Sequence, residues 1–243
     1  MGESLSTWTP SCNGSVRVEL SGQRTTSDSG ALLLREALDN SGVIEALEDN
    51  LVDRRHPLRI RHSLASQLRT LVLQRAMGWI DLSDTDTLRR DPLWQLACSD
   101  ARGMTPLVQD RPSQATLSRL LTCLGRNDNI DVVHEGLLRL VLWRLTSLKN
   151  GERPKQLTLD IDGLPIEVHG HQGGSAYHGL YGTRIYSPLV ASLAETGDMV
   201  GGLLREGNAG PAENADTWIP HLVTRLNEST GAQVRVRIDA GFT

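Results

Sequence analysis

Lysine is nearly missing from this chain: Lys149 and Lys155 are the only two among its 25 basic residues, and the rest are arginine. A guanidinium fork grips phosphate oxygens in pairs where an ammonium offers a point charge, so the bias suits phosphate binding; a GC-rich genome gives the same bias. Charge of one sign is also lacking, because a net charge of −4 gives no global attraction to nucleic acid. Any such partner must be met by a local patch. Cysteine is scarce and odd in number, Cys12, Cys98 and Cys123, without paired spacing. That excludes a disulfide framework or thiolate zinc site and points to a reducing, cytoplasmic setting. The first residues, MGESLSTWTPSCNG, hold no basic patch followed by an apolar run, and the most apolar helix, 136 to 148, is interrupted by Arg139 and Arg144. Neither a signal peptide nor a membrane span is expected. Internal repeats and low-complexity tracts are absent too.

What the chain does contain is two halves of different periodicity. Residues 1–14 are expected to be a loose tail, and SVRVEL (15–20) alternates like a short strand. From there to residue 112 the pattern is mostly helical. A helix through 30–38 starts from a Ser27 or Asp28 cap and is parted from 43–51 by Asn40-Ser41-Gly42. The most basic stretch follows, DRRHPLRIRH (53–62). It leads into a helix with Leu64, Leu68, Leu71, Val72 and Trp79 on one stripe, then a helix over 87–98 broken or entered at Pro92. Residues 99–112 read as a linker. A connector (113–155) holds a helix over 114–124, with Gln114, Thr116, Ser118 and Arg119 on its surface, and an amphipathic helix over 131–148.

The second half, 156–243, is strand-rich. In LTLDIDGLPIE (157–167) a period of two puts Leu157, Leu159 and Ile161 on one face and Thr158, Asp160 and Asp162 on the other. QVRVRID (233–239) repeats the design and ends in Asp239. Between them lie a glycine- and histidine-rich connection (170–182), a strand over 183–193, a turn at ETGD and a strand over 199–204, which make a hairpin. A helix carrying Trp218, Ile219, Leu222 and Leu226 follows, with Pro220 inside its stripe. The order strand, strand, strand, helix, strand begins a ribonuclease-H-like core, in which the first and fourth strands lie side by side and bring Asp162 to Asp239. The expected fold class is therefore α+β (α/β), a helical N-terminal region followed by an incomplete core of that kind. Two adjacent carboxylates repel unless a cation lies between them, and Mg²⁺ or Mn²⁺ is the natural occupant. Such a site suits phosphoryl transfer on nucleic acid.

Several segments in order carry a resemblance: TSDSGALLLRE, HSLASQLRTLVLQRAMGWIDLSDTDTLRRDP, SQATLSRL, DIDGLPIEVHGHQGGSAYHGLYGTRIYSPLVA, ETGD, LLREGNAGPAENA and VRVRIDAGF. Together they resemble DDE transposases of bacterial insertion sequences, the group with the type 1 DDE domain, over nearly the whole chain from about residue 15. The resemblance implies Asp162 and Asp239 as the first two catalytic, metal-binding carboxylates, with Asp160 as the fallback for the first. It implies a two-metal site in the complete core, double-stranded DNA (terminal inverted repeats and target) as partner, a homodimer in the synaptic complex, and a bacterial, nucleoid-associated setting. Two departures stand out. Leu164 occupies a place where a small polar residue is common, and the family's third acid, a glutamate on a later helix, has no counterpart before Thr243. The expectation is an incomplete or inactive fragment that lacks the third acid, or a non-catalytic fragment that binds DNA.

Candidate DNA contacts are Arg54, Arg55, Arg59 and Arg61 in the basic stretch, Arg119 on the following surface helix, and Tyr177, Tyr181, Arg184 and Tyr186 near the acids. DIDG is also similar to the first motif of haloacid-dehalogenase-type phosphatases, with Asp160 as nucleophile, although no lysine follows Lys155 to complete that site. His169, His171 and His178 offer a zinc alternative.

Overall fold

A computed structural model describes residues 7–19, 28–100, 111–148 and 154–239. The expectations for the extreme N-terminus, for a Ser27 cap, for most of the 99–112 linker and for the 149–153 break lie outside the described residues. The chain divides into two compact units, 1–136 and 137–243.

The first unit is helical: α1 (Gly30–Ser41), α2 (Val43–Asn50), α3 (Leu64–Ala76), α4 (Thr85–Leu88), α5 (Pro92–Ala97), α6 (Gln114–Leu124) and the start of α7 (Asn127–Leu148). Gly42, at φ 63°, ends α1 and admits α2 at once, because a left-handed residue closes a helix and glycine adopts it without a Cβ clash. Pro92 opens α5 with Asp91 capping the backbone N–H groups of Leu93 and Trp94. The helix expected over 87–98, broken or entered at Pro92, is thus broken: residues 87 and 88 close α4, and α5 is entered at Pro92. Ile44, Leu68, Leu73, Trp94 and Leu117 form the centre of the core. The stripe expected on α3 holds for Leu64 and Leu68, but the helix ends at Ala76 and Gly78 turns at φ 88°, so Trp79 leaves the stripe half-exposed and Leu73 fills the core instead. A polar knot ties the unit together. Arg35, fully buried, donates Nε to Asp39 at 2.6 Å and Nη1 to the carbonyls of Ala97 and Ser99 at 2.6 and 2.8 Å. Arg69 reaches the same Asp39 and also Asp100. The expected strand at 15–20 is only a bridge between Trp8 and Val18.

The second unit holds two sheets. β1 (Gln156–Gly163), β5 (Leu189–Leu193), β6 (Met199–Leu203) and β7 (Gln233–Ile238) form one, in the order β6-β5-β1-β7. β1 runs antiparallel to β5 and parallel to β7, with α8 (Ala215–Thr230) as the crossover between β6 and β7. β2 (Ile166–Glu167), β4 (Thr183–Tyr186) and β3 (Ala176–His178) form the smaller sheet, inserted between β1 and β5. The single strand expected over 183–193 is thus two. Pro188 lacks the N–H that a continuous ladder needs, and the chain changes sheet there. The alternation read in β1 is observed: Leu157, Leu159 and Ile161 are buried while Thr158, Asp160 and Asp162 are not. Each buried side chain stabilises by about 1.5–3 kcal/mol. Leu138, Val141 and Leu145 of α7, and Leu222 and Leu226 of α8, pack in the same core. Pro220 lies within α8 rather than at its start.

Candidate active site and nucleic-acid interface

The β1–β7 register sets the first site. Leu159 is opposite Val236, Asp160 opposite Arg237 and Ile161 opposite Ile238. Asp162 and Asp239 each follow that last pair by one residue, so the two acids stand at the same level on neighbouring parallel strands. Both are exposed. Asp162 has no side-chain partner among the described residues, while Asp160 is held in a fork: Arg237 Nε and Nη2 donate to its two oxygens at 2.6 and 2.5 Å. That ion pair pushes the Arg237 guanidinium above its ordinary pKa. The ladder is completed by Glu195, whose carboxylate accepts from the backbone N–H of Thr158 at 2.8 Å just past the end of β5.

Two carboxylates at one level offer hard oxygen donors of the kind Mg²⁺ and Mn²⁺ take, and Mg²⁺ is commonly held by one or two such groups with water and substrate phosphate completing the shell. The donor set fits one such ion. No group of three or more His, Cys, Asp or Glu able to hold a metal is present among the described residues. The zinc alternative gains no joined ligand set: His169 and His171 are exposed, and His178 lies against Tyr181 with ring centroids 4.9 Å apart.

The smaller sheet and its neighbouring loop are pinned by side chains of the candidate contact set. Arg184 donates to Ser175, through Nη2 to its carbonyl and Nε to its hydroxyl, and Tyr186 donates its hydroxyl to the Gly173 carbonyl at 2.5 Å. Tyr177 and Tyr181 are exposed instead. Arg205, which sequence reading did not single out, is buried and donates to the carbonyls of Ser187, Gly210, Pro211 and Glu213 at 2.8 to 3.0 Å. Desolvation holds its pKa below the ordinary arginine value. The loop after β6 is set by Gly207, where a Cβ would come within 2.0 Å of the Ile185 carbonyl oxygen.

A second site lies wholly in the helical unit. A cleft of about 640 Å³ is lined by the basic stretch between α2 and α3, namely Arg54, Arg55, Arg59 and Arg61, and by Arg119 of α6. Arg89, Arg111 and Arg126 join them from three further segments, and among the described residues Asp53 is the only acid in the lining. The fold therefore brings together all five candidate arginines of this half. It adds three that no local pattern marks, because they are scattered between residues 89 and 126. Part of the charge is balanced. Asp53 takes Arg55 in a fork at 2.7 to 3.0 Å, which holds its carboxyl below the usual carboxylate range, and Arg54 meets Asp128 at 2.5 Å with the same effect. Arg59 and Arg119 have no side-chain partner among the described residues.

A mixed sheet in the order β6-β5-β1-β7, with β1 antiparallel to β5 and parallel to β7, has the arrangement expected of the first four strands of a ribonuclease-H-like core. Residues 9–243 match the family described as transposase DDE domain group 1, and the chain belongs to that family. No match was found among curated proteins or among solved structures. The phosphatase alternative falls with this: the strand that follows β1 in its sheet is antiparallel, not a parallel crossover, and both oxygens of Asp160 are taken by Arg237. None of the described helices is long and apolar enough to cross a membrane.

Proposed function

We propose that this protein acts in DNA transposition, with Asp162 and Asp239 as the first two acids of a DDE active site that cuts and joins DNA strands in the bacterial nucleoid. The observation that supports it most is the level placement of those two exposed carboxylates on parallel neighbouring strands. Asp162 is preferred to Asp160 because the Arg237 fork occupies both oxygens of Asp160. Asp160 and Arg237 instead lock the register of β1 against β7 two residues short of the acids. Asp162 and Asp239 would hold a divalent ion, and the chemistry it would supply there is Lewis-acid catalysis of phosphoryl transfer. Tyr177 and Tyr181 offer exposed ring faces for DNA next to the acids, while Arg184 and Tyr186 support the loop that carries Ser175. Arg54, Arg55, Arg59, Arg61 and Arg119 take phosphates of one DNA strand at the ends of the element, and two copies pair in the synaptic complex.

The reaction calls for a third carboxylate, and none joins the two acids among the described residues. Residues 1–243 alone are therefore proposed to bind inverted-repeat DNA with strong salt dependence and not to cut it. A chain or assembly that supplies the third acid nicks and joins with Mg²⁺, and Asp162→Ala or Asp239→Ala lowers that rate by roughly three orders of magnitude or more. An oligonucleotide cleavage assay on inverted-repeat DNA checks both statements. Cutting by residues 1–243 alone, or cutting that survives Asp162→Ala, contradicts the reading.

A further inference from the structure

We propose that the arginine cleft of the helical unit grips consecutive phosphates of a single nucleic-acid strand, without reading its bases. The proposal rests on the transposase reading for the nature of its partner and goes beyond it in the form of nucleic acid recognised.

Charge is the first argument. Among the described residues eight arginines and one acid line the cleft, and the ion pairs Arg55–Asp53, Arg54–Asp128, Arg126–Asp128 and Arg89–Asp86 draw on three carboxylates between them. Like charges gathered in a concavity repel one another, and a polyanion relieves the repulsion. Arg59, at the end of the short 3-10 turn Pro57–Arg59, and Arg119, on α6, come from separate elements and meet no carboxylate among the described residues. A guanidinium takes a phosphate through two parallel N–H···O bonds, so two such forks accept two phosphates. Ser113 and Thr116, whose hydroxyls lie 3.2 Å apart on the same lining, add neutral donors suited to phosphate oxygens.

Size selects the form. A volume of 640 Å³ equals a sphere roughly 11 Å across, within the range of pockets that enclose small ligands. A duplex whose major groove alone is about 12 Å wide is too broad to enter. One strand enters readily. Composition selects the mode of contact: among the described residues no phenylalanine, tyrosine or tryptophan lines the cleft, so its described walls lack the stacking platform that sequence-tolerant single-strand proteins use for bases. The phosphate–sugar chain is what the walls match. A small polyphosphate shares that chemistry and must be separated from a strand by experiment.

The test is fluorescence anisotropy of a labelled oligothymidylate with the full chain, over a salt series and in EDTA. Without metal, the chemistry at Asp162 and Asp239 plays no part, so failure of cleavage and failure of this binding are separate results. The strand is expected to bind in preference to a blunt duplex of equal length. Arg59→Gln with Arg119→Gln is expected to weaken it by roughly tenfold or more and to flatten the log–log salt slope by about 1.4, at about 0.7 per phosphate contact. The melting temperature of the double variant establishes that it is folded. Cys123 lines the same cleft, and its modification by N-ethylmaleimide is expected to slow when the strand is bound. Unchanged affinity in the double variant, unprotected Cys123, or a tenfold preference for duplex overturns the proposal. Inorganic triphosphate that displaces the strand at equal phosphate concentration overturns the strand assignment and gives the cleft to a small polyphosphate.

Discussion

Arg35 and Arg205 show how much of this protein rests on single buried guanidinium groups. Each is almost fully enclosed and donates to backbone carbonyls from distant parts of the chain, Ala97 and Ser99 for Arg35, Ser187 and the 210–213 turn for Arg205. Arg205→Met removes the donors to four carbonyls, three of them on exposed residues that water can reach, and is expected to cost about 1–2 kcal/mol, which urea unfolding will show as a lower midpoint. The cysteines differ at the same scale. Burial pushes the Cys98 thiol up to about 11 and also raises Cys12, while Cys123 is half-exposed in the cleft. At pH 8 the folded chain is expected to react with a thiol reagent at Cys123, and the other two are expected to follow only on unfolding. Rapid labelling of all three in the folded state contradicts that burial. The Asp160–Arg237 fork is a surface pair with the arginine side chain 68% exposed, so Asp160→Asn is expected to leave the urea midpoint nearly unchanged.

Among the elements, β1 and β7 were the most legible in the sequence. An alternation of apolar residues with acids or arginines has one reading as a half-buried strand, and both strands lie where LTLDID and QVRVRI place them, although Val236 and Ile238 of β7 are exposed where Leu159 and Ile161 of β1 are buried. What the alternation does not contain is the partner of each polar residue. The pairing of Asp160 with Arg237 follows from parallel register, a long-range property. The division of 183–193 at Pro188 was marked by the proline, yet the apolar run on both sides of it reads as one strand. In the helical half the stripes identified the helices, but Gly78 cut α3 before Trp79 could join the core. Gly207 gives the loop after β6 a direct test. Its Cβ would overlap the Ile185 and Ala176 backbones, so Gly207→Ala is expected to cost about 2 kcal/mol or more and to shift amide signals in β3 and β4.

For the whole molecule, two compact units divide the chemistry: a helical one with an arginine-lined cleft, and a mixed-sheet one with level acids. The net charge of −4 conceals the cleft, where eight arginines stand against one acid among the described residues. Membership of the DDE transposase family explains why one chain carries both features. The arginine cleft was legible only in part, because Arg54 to Arg61 cluster in sequence whereas Arg89, Arg111 and Arg126 meet them only through helix packing.

The most direct test of the active-site assignment is Mn²⁺ binding followed by electron paramagnetic resonance, on the full chain with inverted-repeat DNA and on its Asp160→Asn, Asp162→Asn and Asp239→Asn variants. The account predicts that the ion is lost in the Asp162 and Asp239 variants and kept in the Asp160 variant. An ion that survives Asp162→Asn, or that disappears with Asp160→Asn alone, would contradict it.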